Sequence, residues 1–163
     1  MKCIDCNKEM KLVVENHKYE ECGLSNIILV DVKKYRCSNC GEEYLGIQNP
    51  LGLHAVIAKT VVKNKRKLSG KEFRFLRTYL GFSTAVFAKL IGVARETVSR
   101  WETGKLVIPK HMDLLIRSLA VNNEPDRNYK LHDLFLKEEC GKAFSRLKIV
   151  CKKSGEWEIK SAA

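Results

Sequence analysis

The stretch Ser83–Pro109, STAVFAKLIGVARETVSRWETGKLVIP, constrains the fold of this chain more than any other. Ser83 is a natural N-cap, because its hydroxyl can accept a bond from a free amide at a helix start. Phe87, Ala88 and Ile91 share one helical face, and Gly92 stands where a helix stops with positive φ. A second short helix is expected over Arg95–Trp101, with Val98 and Trp101 on its inner face. Arg95, Glu96, Thr97, Ser99 and Arg100 then fall to its outer face and flanks. Two short helices about a glycine turn, closed by Gly104 and Pro109, read as a helix-turn-helix.

Charge is concentrated on the same part of the chain. The 163 residues carry a formal net charge of +11. Residues 1–62 hold eight Lys/Arg and eight Asp/Glu, whereas residues 63–123 hold thirteen against four. That is the footprint expected of a phosphate-binding surface. Lys105, just past the second helix, is a candidate phosphate contact, together with Thr84 and Arg77. The run Lys63-Asn64-Lys65-Arg66-Lys67 reads either as a solvated linker or as a further phosphate contact.

Seven cysteines, an odd number, argue against a complete disulfide framework. Four of them form two C-x2-C pairs, Cys3/Cys6 and Cys37/Cys40, each able to fold as a knuckle that aims two thiolates at one ion. Four thiolates suit one structural Zn²⁺ in a closed tetrahedral site. A redox pair, a disulfide and rubredoxin-like iron are the alternatives, and the redox reading lacks a βαβ context. Cys22, Cys140 and Cys151 stand outside the pairs; Cys140 and Cys151 read as packing residues, and Cys22 as a small apolar filler or a free thiol.

Strands are expected over Met10–Val14, Ile27–Arg36 and Glu43–Ile47, with a turn near Gly23. Asn49-Pro50 opens a helix running to about Lys63. Ser69-Gly-Lys-Glu72 is a capping box opening another, to about Leu80. A helix over Lys110–Val121 follows Pro109. In the tail, a helix is expected from about Leu131 to Gly141, then a hairpin of 146–151 with 157–160. The expected fold class is α+β, with a small zinc-bound antiparallel β domain (1–48) and a helical and basic linker (49–68). An all-α helix-turn-helix domain (69–123) and a helix and hairpin extension (124–163) complete it. No apolar run approaches the ~20 residues of a membrane span, and no signal-peptide pattern opens the chain, so a cytoplasmic protein is expected.

The pattern R-x5-S-x4-A-x3-G-x6-S-R-W-E-x-G-K-x3-P, Arg77 to Pro109, resembles the Xre-type helix-turn-helix of phage repressors, whose second helix lies in the DNA major groove. With Cys3/Cys6/Cys37/Cys40 before it and YRCSNCGEEYLG at Tyr35–Gly46, residues 1–121 resemble the MqsA-type antitoxin family. That family joins a YgiT-type zinc finger to an Xre-type domain. The resemblance implies a structural zinc, a homodimer and a palindromic operator in duplex DNA. It also implies an N-terminal domain that neutralises a ribonuclease toxin. An Asn and an Arg read bases in that family, and the matching positions here hold Glu96 and Arg100. Arg100 can bond guanine in bidentate fashion, whereas Glu96 can only accept, as from cytosine N4. Arg95, Thr97 and Ser99 are the other candidates for base contact.

The expected function is therefore transcriptional repression by an autoregulating antitoxin, the alternative being a stand-alone Xre-type regulator without a toxin. No nucleophile elbow, phosphate loop, paired carboxylates or open metal site is visible, so no enzyme is expected.

Overall fold

The computed structural model describes residues 1–122 and 147–162. These form an α+β fold with a mixed sheet and, among the described residues, five helices, distributed over two units. The first unit is built on a sheet of β1 (Met10–Lys18), β2 (Ile27–Cys37), β3 (Glu43–Gly46), β4 (Leu147–Cys151) and β5 (Trp157–Ala162). The β-branched run of β2 makes it the central strand. β1 lies antiparallel along one edge of it. The other edge is shared, with β4 running parallel to Ile27–Val30 and β3 antiparallel to Lys33–Arg36. Asp31 sits where β2 passes from one partner to the next. Its φ is 54°, its amide donates to Asn16 Oδ1 at 3.3 Å, and β1 bulges between Glu15 and His17 beside it.

Two sequence expectations change here. The small sheet was expected to be antiparallel, but the β2–β4 pairing makes it mixed. Residues 147–162 were expected in a separate extension, yet they complete the N-terminal sheet. The physical reason is core formation. Ile27 and Leu29 of β2 and Leu147 and Ile149 of β4 are all fully buried, so the tail supplies apolar surface that a 48-residue domain lacks. Trp157 Nε1 also donates to the carbonyls of Gln48 (2.8 Å) and Asn49 (3.0 Å), tying the hairpin to the start of the first helix. The helix expected over Leu131–Gly141, and Cys140 with it, lie outside the described residues.

The second unit contains α2 (Gly70–Tyr79), α3 (Thr84–Leu90), α4 (Arg95–Glu102) and α5 (Lys110–Asn122), with most of α1 (Pro50–Lys63). Ser69 caps α2 with the capping box complete, its amide donating to Glu72 Oε2 at 2.8 Å. Ser83 caps α3. Phe73, Leu76, Phe87, Val98 and Ile116 are fully buried, and Phe73 meets the rings of Phe87 and Trp101 edgewise at 5.8 Å each. Gly70 opens α2 directly against the end of α4, where a Cβ would strike the carbonyl oxygens of Trp101 and Glu102. The amide-rich start of one helix thereby meets the carbonyl-rich end of another, a favourable pairing of dipole ends.

α1 and the segment after it belong with these helices rather than forming a linker. The reason is Arg117 of α5, which is 3% exposed. Its Nη1 donates to the carbonyls of Val61 (3.2 Å), Val62 (2.7 Å) and Asn64 (2.5 Å), and its Nη2 to that of Arg66 (2.7 Å). Nε bonds Asp113, whose second oxygen accepts the amide of Leu68 at 2.8 Å. The last turn of a helix leaves carbonyls without partners, and here one guanidinium takes those of Val61 and Val62 along with two from the segment beyond. Replacing Arg117 with Met strands those carbonyls and leaves Asp113 as a buried, uncompensated charge. The expected loss is roughly 3–5 kcal/mol of unfolding free energy by urea titration; a loss below about 1 kcal/mol contradicts this account of the residue.

Candidate metal centre and basic face

Cys3-Ile-Asp-Cys6 and Cys37-Ser-Asn-Cys40 build the same turn twice. The amide of Asn7 donates to the carbonyl of Cys3 at 3.0 Å, and that of Gly41 to the carbonyl of Cys37 at 3.1 Å. The amides of Cys3 and Cys37 donate onward to the carbonyls of Lys8 (2.8 Å) and Glu42 (2.9 Å). Each turn closes with a left-handed residue after its second cysteine, Asn7 at φ 59° and Gly41 at φ 78°. Glycine and asparagine are the residues that reach this region most readily. Gly41 marks the second turn in the sequence. The Asn after Cys6 carried the same signal and was missed.

The two turns bring all four sulfurs together. Cys3 Sγ lies 3.5 Å from Cys40 Sγ and Cys6 Sγ 3.4 Å from Cys37 Sγ, and all four lie within 4.8 Å of one another. Zn–S bonds of about 2.3 Å place tetrahedral sulfurs about 3.8 Å apart, so the arrangement is compatible with one zinc site of four cysteine ligands. The second turn sets its two thiols apart. Backbone amides of Cys40 and Asn39 donate to Cys37 and draw its pKa down to about 6. Cys40 accepts an amide from the Glu42 backbone, but the neighbouring sulfurs of Cys37, Cys3 and Cys6 push its pKa up to about 12. Cys3 and Cys37 are buried with Met10, and Tyr35 and Tyr44 pack against them, so the centre doubles as a small core.

Of the thirteen cations in residues 63–123, three are withdrawn from the surface. Arg77 Nε bonds Glu102 at 2.6 Å and its Nη1 bonds the carbonyl of Phe82. Arg66 pairs with Glu72 at 2.6 Å, and Arg117 with Asp113. These pairs use three of the four carboxylates of the segment. The other ten cations are all exposed, and Glu96 is the one exposed carboxylate of the segment among the described residues.

The candidate residues divide accordingly. Arg95, Glu96, Ser99 and Arg100 of α4 are exposed, as is Lys105, while Val98 and Trp101 face inward. Thr97 and Thr84 are half-buried. Arg77 must be corrected: it was expected to contact phosphate, but it is 6% exposed with its guanidinium committed to Glu102 and Phe82. Its partner lies 25 residues away, and helical periodicity within α2 cannot reveal that pairing.

No protein-family model, curated protein or solved structure matches this chain. No helix of the described residues is long and apolar enough to cross a membrane.

Metal analysis of the purified chain is expected to give one zinc per chain. The Co²⁺-substituted protein should show the absorption of tetrahedral tetrathiolate cobalt. Cys37→Ser should lose the metal and, with it, the order of the N-terminal sheet by NMR. Full metal content in that variant contradicts the assignment.

Proposed function

We propose that this protein is a DNA-binding transcriptional repressor, and that α3 and α4 act as its helix-turn-helix. The observation that carries the reading is the outward face of α4. It presents Arg95, Glu96, Ser99 and Arg100 while Val98 and Trp101 anchor the helix from behind. Long polar side chains on a rigidly seated short helix suit readout of base edges in the major groove. The exposed charge of residues 63–122, ten cations against Glu96, suits the phosphate backbone. Lys105 is one of those exposed cations, and Thr84 stands at the start of α3.

Arg100 is assigned to base readout, with Arg95, Glu96, Thr97 and Ser99 beside it. Glu96 accepts from cytosine N4 rather than donating to a base, which shifts the preferred operator. The zinc centre is structural: four cysteines leave no open coordination position, so it holds the turns of its domain and has no catalytic role. The chain has no enzymatic activity in this reading. It acts as a cytoplasmic homodimer on a palindromic operator.

We further infer that the repressor is the MqsA-type antitoxin of a toxin–antitoxin pair, neutralising a ribonuclease through its zinc domain. The order of four-cysteine domain and two-helix unit supports this. Co-expression with the product of the adjacent gene tests it. A stable complex that relieves toxicity is expected. A neighbour that neither binds nor is toxic removes the antitoxin half and leaves a stand-alone regulator.

Two variants test the DNA-binding half. Arg100→Ala should cost roughly 1–3 kcal/mol of specific binding and relax base preference. Lys105→Ala should weaken binding to all duplexes alike and flatten the salt dependence by about one unit of slope. Intact specificity in the first, or an unchanged slope in the second, removes the role given to that residue.

A further inference from the structure

The face of α4 accounts for only part of the exposed charge. Five of the ten exposed cations, Lys63, Lys65, Lys67, Lys71 and Arg74, precede the two-helix unit. The carboxylate among them, Glu72, is 4% exposed and bound to Arg66 and the Ser69 cap. No exposed carboxylate interrupts the stretch from Lys63 to Phe82.

A run of lysines on a loose linker is a solvated chain. This one is held in place. Side chains alternate along it: Lys63, Lys65 and Lys67 are exposed, while Asn64 and Arg66 turn partly inward and Leu68 is buried. Arg117 grips the carbonyls of Asn64 and Arg66 from inside, and Asp113 grips the amide of Leu68. The amide of Arg66 is held as well, by Asn64 Oδ1 at 3.2 Å. The buried side of the segment is thus fixed by hydrogen bonds and its outer side is left to lysines. At its far end, Gly70 abuts the carbonyls of Trp101 and Glu102, so the segment runs up to the C-terminal end of α4, with Lys105 just beyond.

We propose that residues 63–74 form a second phosphate-contacting surface, a rigid basic ridge that grips the backbone of duplex DNA beside the site read by α4. The inference rests on the DNA-binding reading of α4. Phosphate contacts carry no sequence information and act as point charges, which is the chemistry lysines on a fixed backbone supply. Preorganisation matters because ordering a free lysine-rich linker on binding costs conformational entropy. Arg117 is the positioning residue, and its own charge is spent internally on Asp113 and four carbonyls.

The experiment uses the full-length, metal-loaded chain and a fluorescent duplex of random sequence, with affinity measured across a salt series. In wild type the logarithm of affinity should fall steeply with the logarithm of salt concentration, at about 0.9 per phosphate neutralised. Lys63→Gln, Lys65→Gln and Lys67→Gln together should lower that slope by about two to three units, with preference among duplex sequences unchanged. Lys71→Gln with Arg74→Gln, exposed positions on α2, is a second variant that should lower it by about one to two units. An unchanged slope in both, while Lys105→Ala lowers it, overturns the ridge and leaves the α4 reading standing. Wild-type protein that binds no duplex at all overturns both.

Discussion

The helical unit depends on one buried guanidinium. Arg117 reaches from α5 to the carbonyls that end α1 and to the segment beyond, and Asp113 beside it holds the amide of Leu68. Desolvating such a pair is costly, and that cost is offset only when the surrounding lone pairs and protons are all engaged. Here four carbonyls and a carboxylate engage the guanidinium. The result sets the entry into α2, because Leu68 leads directly to the Ser69 cap and to Gly70 against α4. The seating of α4 is thereby coupled to α1 and α5, although neither carries a residue assigned to base readout.

Burial also sorts the charge. Arg66, Arg77 and Arg117 each neutralise a carboxylate inside or at the edge of the unit. These pairs remove equal numbers of both signs, so over residues 63–122 the net excess remains while Glu96 is the one carboxylate left exposed. That stretch therefore exposes nearly one sign of charge, and such a concentration attracts polyanions at long range. The cysteine-bearing unit has a different problem. Its sheet must recruit β4 and β5 from the far end of the chain, and its cysteine turns rely on four sulfurs meeting at one point.

What was legible in the sequence was local. Ser83, Gly92 and the spacing of Phe87, Val98 and Trp101 define two helices within a few turns, and α3 and α4 follow that reading. The C-x2-C spacing defines a knuckle by itself, and Cys3, Cys6, Cys37 and Cys40 do converge. What was not legible was pairing between distant segments. The alternation in β4 shows a strand but not that Leu147 will lie beside Ile27, 120 positions earlier in the chain. Nor does an arginine announce its burial. Arg77 was counted as a surface cation because Glu102 is a neighbour only after α2 and α4 have packed. Arg117 and Asp113 were not singled out at all, because the four carbonyl partners of Arg117 lie more than fifty residues back in the chain.

The account's central claim is that α4 reads sequence in duplex DNA. Selection from a random duplex pool with the full-length, metal-loaded protein tests it most directly. The predicted result is enrichment of an inverted repeat whose half-sites lie a whole number of helical turns apart, about 10 bp per turn, with guanines in each half-site that Arg100→Ala ceases to select. A pool that shows no sequence enrichment after repeated rounds contradicts the claim.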